Sequence, residues 1–220
     1  MQIPHILVVG GAGYIGSHMV WLLGQRGARV TVLDNLSTGH RDAVLCGRLV
    51  EGDMADADLL GSLFGQHRFD AVMHFASCIQ VGESVVDPAK YYLNNVSNTL
   101  VLLGAMRKHG VQHFVFSSTA AVFGEPLYSP IDEQHPRAPI NPYGRTKWMI
   151  EQALDDYGHA YGLRSVSMRY FNAAGAHPDG LLGERHEPET HLIPLVLQAA
   201  AGRRPHITVF GFDSDTPAGP

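Results

Sequence analysis

The sequence has few cysteines and no long run of hydrophobic residues. Among its 220 residues only Cys46 and Cys78 are cysteines, and their spacing indicates neither a metal site nor a disulfide framework. Reduced thiols are typical of the cytoplasm, which is the expected location. No apolar run approaches the roughly 20 residues of a transmembrane helix, and no charged segment precedes the first apolar stretch. We therefore expect neither a signal peptide nor a membrane partner.

Positive charge is also scarce. The 16 lysines and arginines are outnumbered by 21 acidic residues, which gives a net charge of −5. The basic residues form no stripe along the chain, whereas nucleic-acid-binding proteins usually present one. A nucleic-acid partner is therefore not expected.

Histidine is abundant by comparison, with 13 residues, and this number raises the question of a metal site. His177, His186 and His191 lie in a loop-rich stretch without an i, i+4 pair or a carboxylate at metalloprotease spacing. The sequence therefore predicts exposed or hydrogen-bonded histidines, and no metal is expected.

The distribution of hydrophobic residues indicates an α/β fold. Apolar residues make up 45% of the chain and charged residues 17%, as in ordinary globular proteins. Short β-branched runs alternate with helical segments, which predicts parallel βαβ units and a doubly wound, Rossmann-type sheet. Strands are predicted at 5–10, 29–33, 48–51, 70–75, 112–117 and 164–170, and helices at 14–26, 55–66, 88–109 and 142–161. Ligands of such a sheet bind at the carboxyl ends of its strands.

The composition changes near residue 171. Glycine, proline and charged residues dominate 172–190, followed by a helical stretch, Leu192 to Ala201, and a strand-like run, Ile207 to Phe210. This pattern predicts a Rossmann domain over residues 1–171 and the beginning of a smaller lobe over 172–220.

Two of the predicted helices are apolar on more than one side. The segments 91–106 and 148–161 each carry more large apolar residues than one stripe facing the sheet requires. We expect a homodimer that pairs the helices near 88–109 and 142–161. Deep burial of both helices within one chain is the alternative.

A glycine-rich turn follows the first predicted strand. Gly10-Gly11-Ala12-Gly13-Tyr14-Ile15-Gly16 has G-x-x-G-x-x-G spacing, a variant of the dinucleotide-binding fingerprint. Glycines let the backbone approach a pyrophosphate, which the positive end of the following helix attracts. An ordinary strand-to-helix turn is the alternative explanation.

Two aspartates follow the next strands, where a dinucleotide needs hydrogen-bond acceptors. Asp34 comes directly after the second strand, and its carboxylate can accept hydrogen bonds from ribose hydroxyls while repelling a 2′-phosphate. This favours NAD over NADP, although Asp34-Asn35 can also form a plain turn. Asp53 follows the third strand, where an adenine amino group could reach its carboxylate.

A tyrosine and a lysine are placed for proton transfer at the start of a helix. In Asn141-Pro142-Tyr143-Gly144-Arg145-Thr146-Lys147, the asparagine can cap the helix and proline suits its first position. Tyr143 and Lys147 share a helical face. The cation and the helix dipole are expected to lower the pKa of the phenol, which would make it a general base for an alcohol. A surface pair formed by chance is the alternative.

These segments together resemble the extended short-chain dehydrogenase/reductase family and, within it, the enzymes that epimerise nucleotide sugars at C4. Further matching segments are Asp34 to Gly39, Val81 to Ser84, Tyr91 to Val96, Phe116 to Gly124 and Arg169 to His177. The resemblance implies a Rossmann fold, NAD as cofactor and a UDP-hexose substrate. It further implies interconversion of UDP-glucose and UDP-galactose through a transient 4-keto sugar, a step of galactose metabolism.

The resemblance assigns the catalytic roles to Thr119, Tyr143 and Lys147. Tyr143 would take the proton from the C4 hydroxyl of the sugar while a hydride passes to NAD. Thr119 would hydrogen-bond and align the same oxygen. Lys147 would lower the pKa of the tyrosine and hold the nicotinamide ribose. The keto sugar would then turn over and receive the hydride on its other face.

The resemblance also implies a set of binding residues. The cofactor would be lined by Gly10, Gly13, Tyr14, Ile15, Gly16, Asp34, Asn35, Leu36, Ser37, Thr38, Gly39, Asp53, Met54, Phe75, Ala76, Ser77, Asn95, Lys147 and Phe171. Besides Thr119 and Tyr143, the substrate would contact Asn172 and Leu192 near its diphosphate and Phe210 at the uracil ring.

The chain departs from the family pattern near the cofactor and after Thr119. Ile79 stands where many members have a lysine that touches the cofactor, so one contact would be lost. Ala120 and Ala121 offer no group for proton transfer. Their presence disfavours elimination chemistry and leaves oxidation and reduction at C4.

The C-terminal segment departs further. Members usually continue with an aspartate-glycine-threonine turn and an arginine that grips the UDP diphosphate, whereas this sequence reads Thr216-Pro217-Ala218-Gly219-Pro220. We therefore expect a shortened chain with an uncovered edge strand at Ser165–Tyr170 and cofactor binding better preserved than turnover. The alternatives are an NAD-binding remnant with little turnover and another nucleotide-sugar epimerase or dehydrogenase. The sequence leaves the sugar open among glucose, N-acetylglucosamine and glucuronate.

Overall fold

The computed structural model describes residues 3–208, which fold around one sheet. The six strands follow the order β3-β2-β1-β4-β5-β6, and every neighbouring pair is parallel. This is the doubly wound, Rossmann-type sheet that the sequence predicts. The strands are β1 (His5–Val9), β2 (Arg29–Asp34), β3 (Arg48–Glu51), β4 (Ala71–His74), β5 (His113–Thr119) and β6 (Arg164–Tyr170).

Helices connect the strands. They are α1 (Tyr14–Gln25), α2 (Ala57–Gln66), α3 (Val81–Val86), α4 (Pro88–Tyr91), a π-helical turn (Tyr92–Ser97), α5 (Asn98–Lys108), α6 (Pro142–Tyr161) and α7 (Leu192–Ala200). Short 3₁₀ turns lie at Arg41–Ala43 and Ala120–Val122. None of the helices within residues 3–208 has the length and apolar character needed to cross a bilayer.

The central strand β1 is buried along its whole length and supplies side chains to both faces of the sheet. Leu7 and Val9 belong to one core cluster, while Ile6 and Val8 belong to another. Successive strand residues point to opposite faces, so a strand covered on both sides is apolar at nearly every position, as Ile6 to Val9 are here. The continuous run of apolar residues therefore reflects its central place.

The predicted elements agree with the structure apart from three differences. The helix predicted over 88–109 is present over residues 88–108, but it is divided into α4, a π-helical turn and α5. Helix α3 was not predicted. Residues 207 and 208 form no strand, and the remainder of the predicted strand, including Phe210, lies outside the described residues.

Strand β6 forms one edge of the sheet within residues 3–208, as expected. The side chain of Val166 at its centre is 59% exposed. Farther along, Leu192, Ile193 and Leu197 of α7 are also exposed. Apolar side chains are therefore exposed both on this edge strand and on α7.

Candidate active site

The glycine turn between β1 and α1 is built so closely that side chains cannot replace two of its glycines. Gly10 has a φ of +80°, and a methyl group there would overlap the backbone of Ala76. A methyl group at Gly16 would overlap the carbonyl oxygen of Gly10. At Gly13 it would come no closer than 3.5 Å to that oxygen. Gly13 therefore faces open space at the N-terminus of α1, where a pyrophosphate can approach.

Asp34 joins this turn to the end of β2. Its carboxylate accepts hydrogen bonds from the backbone N–H groups of Ala12 (2.8 Å) and Leu36 (2.9 Å), and the residue is 8% exposed. Leu36 has a φ of 56°, an uncommon conformation outside glycine. The carboxylate is thus fixed beside the glycine turn, while each oxygen keeps a second lone pair for a ribose hydroxyl.

The loops after β2 and β3 meet through a side-chain hydrogen bond. Asn35 Nδ2 donates to Oδ2 of Asp53 at 2.7 Å, and Oδ1 of Asp53 accepts from the N–H of Ala55 at 2.8 Å. Gly39 packs against Ala12 and Asp34, so that a side chain there would crowd both. The segment Asp34 to Gly39 therefore wraps around the mouth of the glycine turn.

Helix α6 begins as the sequence predicts. Asn141 Oδ1 accepts a hydrogen bond from the N–H of Gly144 at 2.8 Å, and Pro142 occupies the first turn. A methyl group at Gly144 would lie 2.5 Å from the carbonyl oxygen of Ala121. Glycine at this position therefore lets α6 pack directly on the 3₁₀ turn after β5, which brings Tyr143 next to Thr119.

Lys147 is buried in the centre of the site, with 1% of its surface exposed. Its Nζ donates hydrogen bonds to Oγ of Ser77 (2.6 Å) and to the carbonyl oxygen of Ser117 (2.8 Å). It also lies 4.9 Å from the ring centre of Phe116. Burial lowers the pKa of Lys147 from 10.5 to about 7, although Cys78 and Glu151 act in the opposite direction. The surface-pair explanation is therefore wrong.

The structure corrects the expected effect of Lys147 on Tyr143. The lysine Nζ is 5.8 Å from the centre of the tyrosine ring and donates its hydrogen bonds elsewhere. Burial raises the pKa of Tyr143 above its usual value of 10. The hydrogen bond with Thr119 lowers this pKa but does not cancel the effect of burial. In the protein alone the phenol is therefore protonated at neutral pH and can act as a proton donor.

Thr119 lies at the carboxyl end of β5 and is buried. Its Oγ accepts a hydrogen bond from the N–H of Ala121 at 3.1 Å, so that the 3₁₀ turn fixes the hydroxyl. The preceding Ser118 donates a short hydrogen bond to Glu151. Strand β5 thus presents Thr119 to the site and anchors itself to α6 through Ser118.

The buried pair of Glu151 and Arg169 was not predicted. Arg169 binds both carboxylate oxygens of Glu151, with its shortest contact at 2.6 Å, and its guanidinium lies over the ring of Phe123. Glu151 is one helical turn beyond Lys147 on the same face of α6. The spacing of four residues between Lys147 and Glu151 is the feature of the sequence that indicates a second charged side chain on this face of α6.

Asn95, a predicted cofactor residue, holds the loop after β4. It is 1% exposed and sits in the π-helical turn. It accepts from the N–H of Cys78 (2.9 Å) and donates to the carbonyl oxygen of Cys78 (3.0 Å) and to Thr146 (3.2 Å). It thereby fixes the residue next to Ser77. Direct contact of Asn95 with a cofactor remains a prediction.

The remaining predicted residues occupy different surroundings. Tyr14 donates from its hydroxyl to the carbonyl oxygen of Gly175 at 2.6 Å. Met54 is buried in the core, with its sulfur 3.3 Å from His74. Phe75, Ala76 and Ser77 form the half-buried loop after β4, whereas Phe171, Asn172 and Leu192 are exposed. Phe210 lies outside the described residues. The assignment of all these residues to ligand contacts stays a prediction.

Comparison with known proteins identifies the relatives of this chain. The model of the NAD dependent epimerase/dehydratase family matches residues 6–216. A UDP-glucose 4-epimerase of Rhizobium meliloti (strain 1021) is 56% identical over 98% of this chain and 66% of its own length. That of Azospirillum brasilense is 53% identical, with 98% and 62% covered.

Solved structures give the same result. The UDP-glucose 4-epimerase of Brucella ovis in complex with NAD matches 98% of this chain and 66% of its own at 53% identity, with a TM-score of 0.95. That of Bifidobacterium longum in complex with NAD+ and UDP is 39% identical over 97% of this chain and 67% of its own, with a TM-score of 0.92. The chain spans 62% to 66% of the first curated relatives it matches. It belongs to the NAD dependent epimerase/dehydratase family.

Proposed function

We propose that this chain forms the cofactor-binding and catalytic part of an NAD-dependent UDP-hexose 4-epimerase. One observation carries the proposal: Thr119, Tyr143 and Lys147 meet at the same end of the sheet as the glycine turn. The connection runs through residues in contact, because Gly10 touches Ala76 and the next residue, Ser77, accepts a hydrogen bond from Lys147. Curated UDP-glucose 4-epimerases at 49% to 56% identity support the reaction class.

The residues of the glycine turn suit a dinucleotide. Gly13 leaves open space at the N-terminus of α1, and Asp34 offers carboxylate oxygens beside it. A carboxylate there repels a 2′-phosphate, which favours NAD over NADP. When bound, NAD supplies the hydride acceptor and donor of the reaction.

The chain's own residues would handle the proton. Tyr143 would remove the proton from the sugar C4 hydroxyl and return it after the keto sugar has turned over, and Thr119 would orient the same oxygen. Because burial raises the pKa of Tyr143 in the protein alone, the phenol must lose its proton before it can act as a base. The charged form of Lys147 would favour the phenolate, since its Nζ lies 5.8 Å from the ring centre of Tyr143.

The wider organisation belongs to the same proposal. Residues 1–171 would form the NAD-binding domain and 172–220 part of the nucleotide-sugar lobe. Exposed Leu93, Leu100 and Met149 support pairing of two chains through the helices near 88–109 and 142–161. The unpaired thiols of Cys46 and Cys78 are consistent with a cytoplasmic enzyme of galactose metabolism.

A second candidate is an NAD-binding protein with little turnover. The observation in its favour is the exposure of predicted ligand contacts. Phe171, Asn172 and Leu192, three predicted ligand contacts, are exposed in this chain. A nucleotide-sugar dehydrogenase is the third candidate and would accumulate NADH, whereas an epimerase regenerates NAD in each cycle.

The Tyr143→Phe variant distinguishes these functions. We expect isothermal titration to show NAD binding in both wild type and variant, while conversion of UDP-galactose to UDP-glucose falls about 100-fold or more in the variant. Tyr161→Phe, at the exposed end of the same helix, serves as the matched control and should behave as wild type. Turnover that survives Tyr143→Phe would contradict the mechanism. If the unmutated chain binds NAD but does not convert UDP-galactose, the second candidate is correct.

A further inference from the structure

The loop before α7 gathers four side chains of metal-ligating types beside the predicted ligand contacts Tyr14 and Leu192. The ligand atoms of these side chains all lie within 4.8 Å of one another, and we name the group the 184–191 cluster: Glu184, His186, Glu189 and His191. The sequence predicts no metal here, because the histidines lack helical spacing. Since the loop folds back on itself, spacing along a helix is not required.

The distances within the 184–191 cluster lie on both sides of those in a tetrahedral site. His191 Nδ1 lies 2.8 Å from Glu184 and 3.1 Å from Glu189, and His186 Nδ1 lies 3.4 Å and 4.0 Å from the same carboxylates. Bonds of about 2.0–2.2 Å to Zn²⁺ place neighbouring ligand atoms about 3.3–3.6 Å apart. Because the ligand atoms lie within 4.8 Å of one another, changes of up to about 1.5 Å in their separations would bring all four onto one ion.

The cluster is half-buried, and one of its nitrogens makes no hydrogen bond although Glu184 lies 3.4 Å away. His186 Nδ1 is inaccessible to solvent and has no hydrogen-bond partner among the described residues. Buried polar atoms are almost always paired, so an exception requires an explanation. This nitrogen faces the two carboxylates, whose side chains are only 10% and 8% exposed.

The charge of the cluster also suits a cation. The two carboxylates carry a charge of −2, equal and opposite to that of a divalent ion. Within residues 3–208, no lysine or arginine forms a salt bridge with Glu184 or Glu189. The neighbouring Arg185 binds Asp42 instead, at 2.5 Å and 3.1 Å.

We propose that the 184–191 cluster binds one Zn²⁺ or a similar first-row divalent ion. Imidazole with carboxylate is the ligand set of this class, while Mg²⁺ prefers oxygen ligands and water. The ring of His186 lies 6.4 Å from that of Tyr14, and His191 immediately precedes Leu192, the first residue of α7. A bound ion would thus fix this loop between the start of α1 and the start of α7.

The test uses the untagged full chain, freed of metal with a chelator and titrated with Zn²⁺. We expect one Zn²⁺ per chain, binding at least tenfold tighter than Mg²⁺, and a Zn²⁺-dependent rise of Tm. His186→Ala and Glu189→Gln should weaken Zn²⁺ binding at least tenfold. The exposed residues His159 and Glu125 provide matched controls, as His159→Ala and Glu125→Gln should bind like wild type.

A second measurement does not depend on how the variants fold. Anomalous scattering at the zinc edge from a wild-type crystal should place one peak between the four side chains. The proposal is overturned if no stoichiometric Zn²⁺ binds, if the peak lies elsewhere, or if the cluster and control variants lose binding equally.

Discussion

Lys147 on α6 donates a hydrogen bond of 2.6 Å to the hydroxyl of Ser77 in the loop after β4. This bond links the helix that carries Tyr143 to the loop that packs against the glycine turn. Both ends are fixed independently, because Nζ also binds the carbonyl oxygen of Ser117 and Asn95 holds the neighbouring Cys78. The candidate catalytic group and the candidate cofactor site are therefore one connected structure.

Burial of Lys147 should make the stability of the cofactor-free protein increase with pH. The pKa of the lysine is lowered by burial to about 7, against 10.5 for the free side chain. Between these values the unfolded chain binds the proton and the native chain does not, so the free energy of unfolding rises with pH, at up to about 1.4 kcal/mol per pH unit. Below pH 7 the lysine is charged in both states, and its destabilising effect is fully present.

Urea unfolding at pH 7, 8 and 9 measures this effect. Lys147→Met should remove most of the rise between pH 7 and 9, whereas Lys108→Met, at an exposed site near the end of α5, should preserve it. Identical pH dependence in the wild type and in Lys147→Met would show that the lysine does not titrate in this range.

Replacement of Gly16 should disrupt the glycine turn. A methyl group there would overlap the carbonyl oxygen of Gly10, which is backbone and cannot rotate away. We expect Gly16→Ala to lower the free energy of unfolding by about 1–3 kcal/mol, the range for overpacking, and to abolish detectable NAD binding. Thermal unfolding and isothermal titration measure the two effects.

Two other glycines provide controls for that prediction. Gly61 lies within α2 with no atom close to its position, so Gly61→Ala should be neutral or stabilise by up to about 1 kcal/mol. Gly13→Ala should fold normally and yet bind NAD more weakly, because its methyl group would occupy space that faces the proposed pyrophosphate. Normal NAD binding by both Gly13→Ala and Gly16→Ala would place the cofactor elsewhere.

Loss of Asn95 should loosen the loop that bears Ser77. Asn95→Ala leaves the N–H and carbonyl groups of Cys78 without their side-chain partners, and each unpaired buried group costs about 1–3 kcal/mol. We expect lower stability together with weaker NAD binding. Ser97→Ala, at an exposed position of the same turn, should change neither. Weaker stability with unchanged NAD affinity would assign Asn95 a purely structural role.

Much of this architecture could be predicted from the sequence, because the signals are local. The continuous apolar run of β1 and the capping of α6 by Asn141 depend on neighbouring residues only. The Glu184 and His191 contact depends on how a loop folds back, and no periodic spacing reports it. The pKa of Tyr143 depends on burial and on where the Lys147 ammonium points. These quantities arise from tertiary structure. The spacing of Tyr143 and Lys147 could suggest that they are neighbours, but it predicted a lowered pKa for the tyrosine instead of a raised one.

The π-helical turn within the helix predicted at 88–109 also depends on tertiary structure. Apolar periodicity continues through this stretch, and the residues 92–97 contain no proline or glycine that would mark an irregularity. The π-helical turn there contains Asn95, whose side chain reaches Cys78 and Thr146. Irregular turns of this type are frequent at functional sites. Only the three-dimensional hydrogen bonds of the asparagine reveal why the helix changes its winding here.

The buried pair of Glu151 and Arg169 should be far more sensitive to substitution than exposed pairs. Their side chains are 5% and 17% exposed, and Glu151 also accepts the hydrogen bond of Ser118. Arg169→Met would leave a buried carboxylate without its cation, at a cost of about 3–5 kcal/mol. Arg41→Met breaks an exposed pair with Glu51 and should cost less than about 1 kcal/mol.

A double variant separates loss of the charge pair from loss of packing. Replacement of both partners, Glu151→Leu with Arg169→Met, removes the unpaired charge and should be more stable than Arg169→Met alone. Turnover should be low in the double variant, because Ser118, which precedes Thr119, loses its hydrogen bond to Glu151. Urea unfolding and the UDP-galactose assay measure these two effects separately. If the double variant is the less stable of the two, packing around Arg169, rather than the carboxylate charge, dominates this region.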